Sequence, residues 1–192
     1  MKNRALYMNG KLNLAFKELD IPKPQPGEVL LKVGYCGVCG SDVHFYESGC
    51  IGTTPIKGDL ILGHEAAGTV EAVGEGVTNV KVGDRVVLEP GIGCGHCEYC
   101  KSGRYNLCPD MQFISCPPYQ GAMRNYITHP AHLVYPLPEN VSTLEGALIE
   151  PLCVGMHAAN LGGVKLGDTV VILGAGCIGL TTLAACKAMS AS

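Results

Sequence analysis

The amino-acid sequence predicts a mainly β domain, a barrel or sandwich, followed by the first βα unit of an α/β domain that the chain does not complete. Three observations point there. The 192 residues include 26 glycines and 12 prolines, which divide the first part into short runs of strand character. Apolar residues make up 47% and charged residues 16%, the balance of a well-buried globular protein. Near the end, a β-branched run meets a tight glycine turn and then an apolar helical stretch.

The elements follow in chain order. A turn punctuated by Pro22 and Pro26 leads into a strand over residues 27–35. Residues 68–74 and 83–89 are further short strands bounded by glycine. Nothing up to about residue 140 shows sustained helical periodicity, so this part reads as β with functional loops. After Asn140, Ser142-Thr143-Leu144-Glu145 is a capping-box pattern. Residues 146–161 read as helical apart from Pro151, 168–173 as a buried strand, and 178–191 as an apolar helix. The domains are expected at 1–150, carrying a metal lobe at 91–110, and at 151–192.

Between the last strand and helix lies Gly174-Ala175-Gly176-Cys177-Ile178-Gly179, a G-x-G-x-x-G. In that context Gly174 makes the turn, Gly176 lets backbone approach a pyrophosphate, and Gly179 lets helix and strand pack closely. The helix N-terminus, with Ile178 in its first turn, supplies oriented N–H donors for phosphates. A parallel sheet cannot stand on one strand and one helix. The acidic residue expected about 20 residues beyond the fingerprint would lie on a next strand, yet the sequence stops at Ser192. The expectation is a fragment of a longer protein or the product of a truncated gene.

Composition excludes several classes. With 14 Lys+Arg against 17 Asp+Glu, the net charge is −3 and no basic stripe marks a nucleic-acid surface. No run of eighteen apolar residues offers a membrane span, and the apolar run at the start is too short for a secretory leader. The eleven cysteines therefore read as reduced thiols and metal ligands in a cytoplasmic setting.

Cys94, Cys97, Cys100 and Cys108 form C-x2-C-x2-C-x7-C within fifteen residues. That is a complete thiolate set for a tetrahedral structural zinc, and Gly93, Gly95 and Gly103 permit the turns between them. Disulfides and a nucleic-acid-reading finger are the competing readings; the first lacks a secreted context and the second a basic surface. Cys39, in Cys36-Gly37-Val38-Cys39-Gly40-Ser41-Asp42-Val43-His44, together with His64, Glu65 and Glu150, offers thiolate, imidazole and carboxylates for an open catalytic zinc. Each also has an ordinary reading, as a redox pair or buried thiol, a core histidine, or a solvated acid. Spacing alone cannot bring such distant segments together.

The chain resembles the N-terminal part of the zinc-dependent medium-chain dehydrogenase/reductase family over its full length. The resemblance rests on Gly63-His64-Glu65-Ala66-Ala67-Gly68 with Val70, Val73-Gly74 and Gly76-Val77, on Gly83-Asp84-Arg85-Val86, and on the cysteine lobe. Within the family, Cys39-Gly40-Ser41-Asp42-Val43-His44 and Ala147-Leu148-Ile149-Glu150-Pro151-Leu152 are similar to the sorbitol/xylitol (polyol) dehydrogenase branch.

The resemblance implies a GroES-like catalytic domain beside a Rossmann domain, with NAD or NADP on the glycine turn. It implies Cys39, His64 and Glu65 as catalytic-zinc ligands, and Glu150 as a further ligand, direct or through water, or a substrate contact. Phe45 and Phe113, with Cys116, are expected to line the substrate pocket. Polyol dehydrogenases commonly have Tyr where this chain has Phe45, which removes a hydroxyl that could bind a sugar alcohol; Tyr46 would point elsewhere in an extended segment. Ser41 is the candidate first proton relay and His44 a later one. Cys50, Cys153, Cys177 and Cys186 are expected to be packed as small hydrophobes.

The expected parent reaction is oxidation of a secondary hydroxyl to a ketone with hydride transfer to NAD(P), on a sorbitol-, xylitol- or iditol-like substrate. Alternatives are a butanediol- or threonine-type dehydrogenase and an inactive zinc-stabilised GroES-like module. The 192 residues alone are expected to be inactive, and the parent to be a homo-oligomer, dimer or tetramer.

Overall fold

The computed structural model of the chain describes residues 2–192. They form two compact units, the first ending at Ala147 and the second being Leu148–Ser192.

The first unit opens with strands β1 (Asn3–Met8) and β2 (Leu14–Leu19), then β3 (Glu28–Cys36) and helix α1 (Gly40–Ser48). Short strands β4 (Cys50–Ile51), β5 (Thr54–Pro55) and β6 (Leu60–Ile61) lead to β7 (Ala66–Val73) and β8 (Arg85–Leu88). The cysteine lobe lies between β9 (Gly91–Ile92) and β10 (Gln112–Phe113) and contains helix α2 (Glu98–Lys101). Strands β11 (Tyr126–Pro130) and β12 (Val134–Pro136) and helix α3 (Thr143–Ala147) complete the unit.

A five-stranded antiparallel sheet has the order β11-β3-β7-β8-β12, and a three-stranded sheet has β2-β1-β6. Val29 and Leu31 of β3 pack with Val70, Val86, Leu88, Ile127 and Val134 as the main core. The alternation of Val29, Leu31 and Val33 along β3 carries that face inward. Gly68 sits where β7 presses on β3: a Cβ there would fall 2.2 Å from the Lys32 carbonyl oxygen. Asn3, fully buried, ties the sheets together by donating to the Tyr126 carbonyl and accepting the Tyr126 N–H, both at 2.9 Å. Its amide thus replaces a backbone ladder rung.

Two expectations for this unit are corrected. The stretch 40–48 is helical, although no apolar periodicity marks it: its fully buried residues are Asp42 and Phe45. Its N-terminus is held instead by Asp42, which accepts the Cys39 N–H at 3.0 Å, three residues back. Phe45 and Tyr46 therefore lie on a helix, where both contribute to the cluster around Met8, Leu60 and Leu62.

At the predicted capping box, the Ser142 N–H donates to the Glu145 carboxylate at 2.7 Å and the Glu145 N–H donates to Ser142 Oγ at 3.2 Å. The Ser142 hydroxyl, which also donates to the Glu145 carboxylate at 2.7 Å, and next the Ser142 N–H hold that carboxyl below the usual carboxylate range. The helical stretch then divides. It forms α3 and, in the second unit, α4 (Ile149–Leu161), with Pro151 in the first turn where a missing N–H leaves no helical bond unmade.

The second unit pairs α4 with α5 (Cys177–Ala188), which ends three residues before the expected limit. Gly155 permits the contact, because a Cβ there would lie 2.5 Å from the Thr181 carbonyl carbon and the Thr182 nitrogen. The stretch 168–173 is not a buried strand: Val171 is 80% and Leu173 94% exposed. Its ladder partner among the described residues is the brief segment at Ser192, whose N–H donates to Asp168 O at 2.8 Å while its carbonyl accepts the Val170 N–H at 2.9 Å. Bonding to residues 168 and 170 from one residue is the parallel pattern, but a single exchange does not cover a strand. Cys153 and Cys177 are exposed rather than packed, while Cys186 is buried and Cys50 half-buried.

Candidate metal centres

The cysteine lobe is rooted by β9 and β10, which pair Ile92 with Gln112 and Gly91 with Phe113. Between them the chain curls so that the sulfurs of Cys94, Cys97, Cys100 and Cys108 lie within 4.8 Å of one another. Sulfurs bound at about 2.3 Å to one tetrahedral ion sit about 3.8 Å apart; Cys94 Sγ and Cys100 Sγ are 4.0 Å apart. Backbone N–H groups point at the sulfurs: Cys97 N–H to Cys94 Sγ, Cys100 N–H to Cys97 Sγ and Cys94 N–H to Cys108 Sγ, each at 3.4 Å. Donors from His96 and Cys97 pull the Cys94 thiol down to about 6, whereas desolvation pushes Cys100 up to about 12. Negative charge gathered on such crowded sulfurs needs a cation. Cys94, Cys97, Cys100 and Cys108 are thiols and not disulfides. The donor set fits a structural zinc.

The second cluster is built from two segments. Cys39 follows β3 and caps α1, while His64 and Glu65 occupy the connection from β6 to β7. A ligand atom of each lies within 4.8 Å of the others, with His64 and Glu65 buried and Cys39 half-buried. Thiolate, imidazole and carboxylate suit a borderline ion such as zinc, and three protein ligands leave one position open.

Several residues that the sequence did not single out hold this geometry. Asp42, 2% exposed, accepts the Cys39 N–H through one oxygen; through the other it accepts the Gly63 N–H at 3.1 Å and the Ser115 hydroxyl at 3.2 Å. Gly63 has φ of 87°, and a Cβ there would meet Cys36 Sγ and Met123 Cγ, both at 2.6 Å. At Gly37 a Cβ would overlap the Glu65 carboxylate, so glycine lets that acid lie against the backbone. The available signal was local: an acid three residues past Cys39, and glycines flanking candidate ligands.

Burial, and next the charges of Asp42 and Glu65, push the Cys36 thiol up to about 12. Burial thus favours the neutral thiol at Cys36, whose Sγ lies 3.6 Å from the Gly37 carbonyl oxygen.

His64 meets the Phe113 ring edge-on, with centroids 5.2 Å apart. Both line a pocket of about 300 Å³, together with Ser41, Phe45, Ile51, Ser115 and Cys116. His44 is exposed on α1, one turn beyond Ser41. Glu150 lies in the first turn of α4, in the second unit.

The glycine turn has Gly174 at φ of 109°, a conformation that favours glycine. A Cβ at Gly179 would fall 1.9 Å from the Gly174 carbonyl oxygen, whereas one at Gly176 would meet nothing within 4 Å. Close packing at 179 and open backbone at 176 are what a phosphate-cradling turn requires. Ile178, in the first turn of α5, is 44% exposed.

Residues 25–139 match the alcohol dehydrogenase GroES-like domain. The chain belongs to that family. It is 51% identical to an uncharacterized zinc-type alcohol dehydrogenase-like protein, YdjJ, of Escherichia coli K12, covering all of this chain and 56% of that protein. It is 49% identical to human sorbitol dehydrogenase over 99% of this chain and 53% of that enzyme. The crystal structure of L-idonate 5-dehydrogenase from Escherichia coli superposes with a TM-score of 0.93 at 32% identity, over all of this chain and 56% of that one. The chain thus spans about half the length of the curated relatives it matches. Among the described residues, no helix is long and apolar enough to cross a membrane.

Proposed function

We propose that this chain supplies the zinc-binding catalytic part of a dehydrogenase that oxidises a secondary alcohol to a ketone, with a polyol of the sorbitol, xylitol or iditol type as favoured substrate. The carrying observation is the approach of Cys39, His64 and Glu65 to one another, with His64 in the wall of a pocket. The relationship to sorbitol dehydrogenase supports the choice of substrate.

In this reading Cys39, His64 and Glu65 hold the ion, with Glu150 as a further ligand or substrate contact, and Cys94, Cys97, Cys100 and Cys108 hold the structural zinc. Zinc at the open set supplies Lewis acidity, which lowers the pKa of an alcohol hydroxyl presented there. Phe113 packs on the His64 ring and fixes its plane, while Phe45 and Ile51 keep water from the carbon skeleton. Ser41 takes the hydroxyl proton at Oγ, and His44, one turn on, passes it to solvent. Gly174, Gly176, Ile178 and Gly179 would hold the pyrophosphate of NAD or NADP, whose nicotinamide would supply the hydride acceptor. A homo-oligomer in the cytoplasm is the proposed setting of the whole protein.

A second reading, a short diol of the butanediol type, is favoured by the ring at Phe45, which brings no hydroxyl to the pocket. Phe45→Tyr in the protein that carries this chain distinguishes them: the polyol reading expects better discrimination for hexitols over butanediol.

The direct test is zinc per chain, in wild type and in Cys39→Ala. Two zincs falling to one supports the catalytic site. One zinc in both leaves only the lobe and favours a non-catalytic module.

A further inference from the structure

The cysteine lobe carries a second group of metal-ligating atoms, which the four-thiol set does not use. A Cys94 sulfur, a His96 ring nitrogen and an Asp110 carboxylate oxygen lie within 4.8 Å of one another. His96 and Asp110 are exposed, whereas Cys108 is buried. The His96 ring is oriented by Nδ1, which is 2.9 Å from the Cys94 carbonyl oxygen. One sulfur, that of Cys94, belongs to both groups.

The two groups differ in what they ask of an arriving ion. A hydrated zinc loses its waters readily to a solvent-facing carboxylate and imidazole, neither of which must be dragged from a buried position. The four-thiol set binds more tightly, but its sulfurs are less accessible and must shed protons as they bind. An outer mixed site sharing one sulfur with an inner thiolate site therefore gives the ion a path in which it is never without protein ligands.

We propose that Cys94, His96 and Asp110 form an entry site that captures a divalent zinc ion from solvent and passes it, on the shared Cys94 sulfur, into the four-thiol site. The bonds to His96 nitrogen and Asp110 oxygen break as bonds to the sulfurs of Cys97, Cys100 and Cys108 form. The Cys94 bond persists throughout. The Cys94 thiol gives its proton to water as it binds in the outer site, the thiols of Cys97, Cys100 and Cys108 give theirs as they bind in turn, and the ion stays divalent.

This inference rests on the reading of the four cysteines as a zinc site, and cobalt(II) separates the two. The reduced, metal-free chain carrying Cys39→Ala, so that only the lobe contributes thiolate absorbance, is mixed with cobalt(II) chloride in stopped flow. The thiolate-to-cobalt charge-transfer band is followed with and without His96→Ala plus Asp110→Ala, and with the conservative pair His96→Gln plus Asp110→Asn. The entry site expects loading to slow several-fold in both pairs, with the final amplitude and the cobalt affinity unchanged. An unchanged rate overturns it. A reduced affinity in the conservative pair also overturns it, because the two residues would then be resident ligands or scaffold. If the alanine pair fails to fold, the conservative pair decides. No band in the parent chain removes the four-thiol reading itself, and the entry site with it.

Discussion

The Asp42 carboxylate accepts the backbone N–H of Gly63 at 3.1 Å, joining the first turn of α1 to the residue immediately before His64. Because its other oxygen holds the Cys39 N–H, one buried acid sets the spacing of two metal-ligand candidates that are 25 positions apart in sequence.

Replacing Asp42 with Ala leaves two backbone donors and the Ser115 hydroxyl without their acceptor in a buried place. At about 1–3 kcal/mol for each unsatisfied group, offset where water enters, the expected loss is about 3 kcal/mol of stability. Urea unfolding measures it. Metal content should show weaker zinc retention at Cys39 and His64, on the order of tenfold, with the cysteine lobe unaffected. A variant as stable as wild type with two firmly held zincs would show that the carboxylate positions nothing.

Gly63→Ala should be costly in a different way. The added methyl would need a left-handed backbone and would press into Cys36 Sγ and Met123 Cγ. Overpacking together with backbone strain suggests a loss of about 3 kcal/mol. The midpoint of chemical denaturation should fall accordingly, whereas Gly176→Ala, which meets nothing within 4 Å, should leave it nearly unchanged.

Cys108→Ser should release one zinc and leave the other. The lobe is anchored at β9 and β10 but has few buried residues of its own, so amide exchange over residues 94–108 should accelerate while the five-stranded sheet keeps its protection. Loss of both zincs would mean that the two centres fold as one.

His129 predicts a pH dependence. It is buried on β11, with its Nε2 2.8 Å from the Glu89 carbonyl oxygen. Burial lowers it to about 4; the Glu89 carbonyl contact and the charges of Glu28 and Glu89 oppose that, and His132 adds to it. The unfolded state takes up this proton near pH 6.5 and the folded state only near 4, so the stability it contributes is present above 6.5 and is lost as pH falls between those values. The loss is about 3 kcal/mol. His129→Gln, which keeps a donor toward Glu89, should flatten that part of the stability–pH curve. Curves of equal slope in the two proteins would contradict the assignment.

Strands β3, β7 and β8 could be read directly, because period-two apolar runs bounded by glycine leave few other ways to bury Val29, Leu31, Val70 and Val86. Helix α1 could not. Its apolar residues follow no helical period, and what holds its start is an acid bonded to a backbone three residues away. The stretch 168–173 shows the opposite failure. Its composition has strand character, but a ladder needs a neighbour, and the bonds at Ser192 supply one exchange.

The four-cysteine lobe was determined by sequence alone, since its ligands lie within one short loop and the spacers themselves bring the sulfurs together. The glycine turn was likewise local, its demands being those of three backbone positions within six residues. The grouping of Cys39 with His64 and Glu65 was decided only by tertiary structure. Their separation along the chain carries no distance information, and it is the pairing of β3 with β7, the buried Asp42 and the space left by Gly37 and Gly63 that bring the three within reach of one ion.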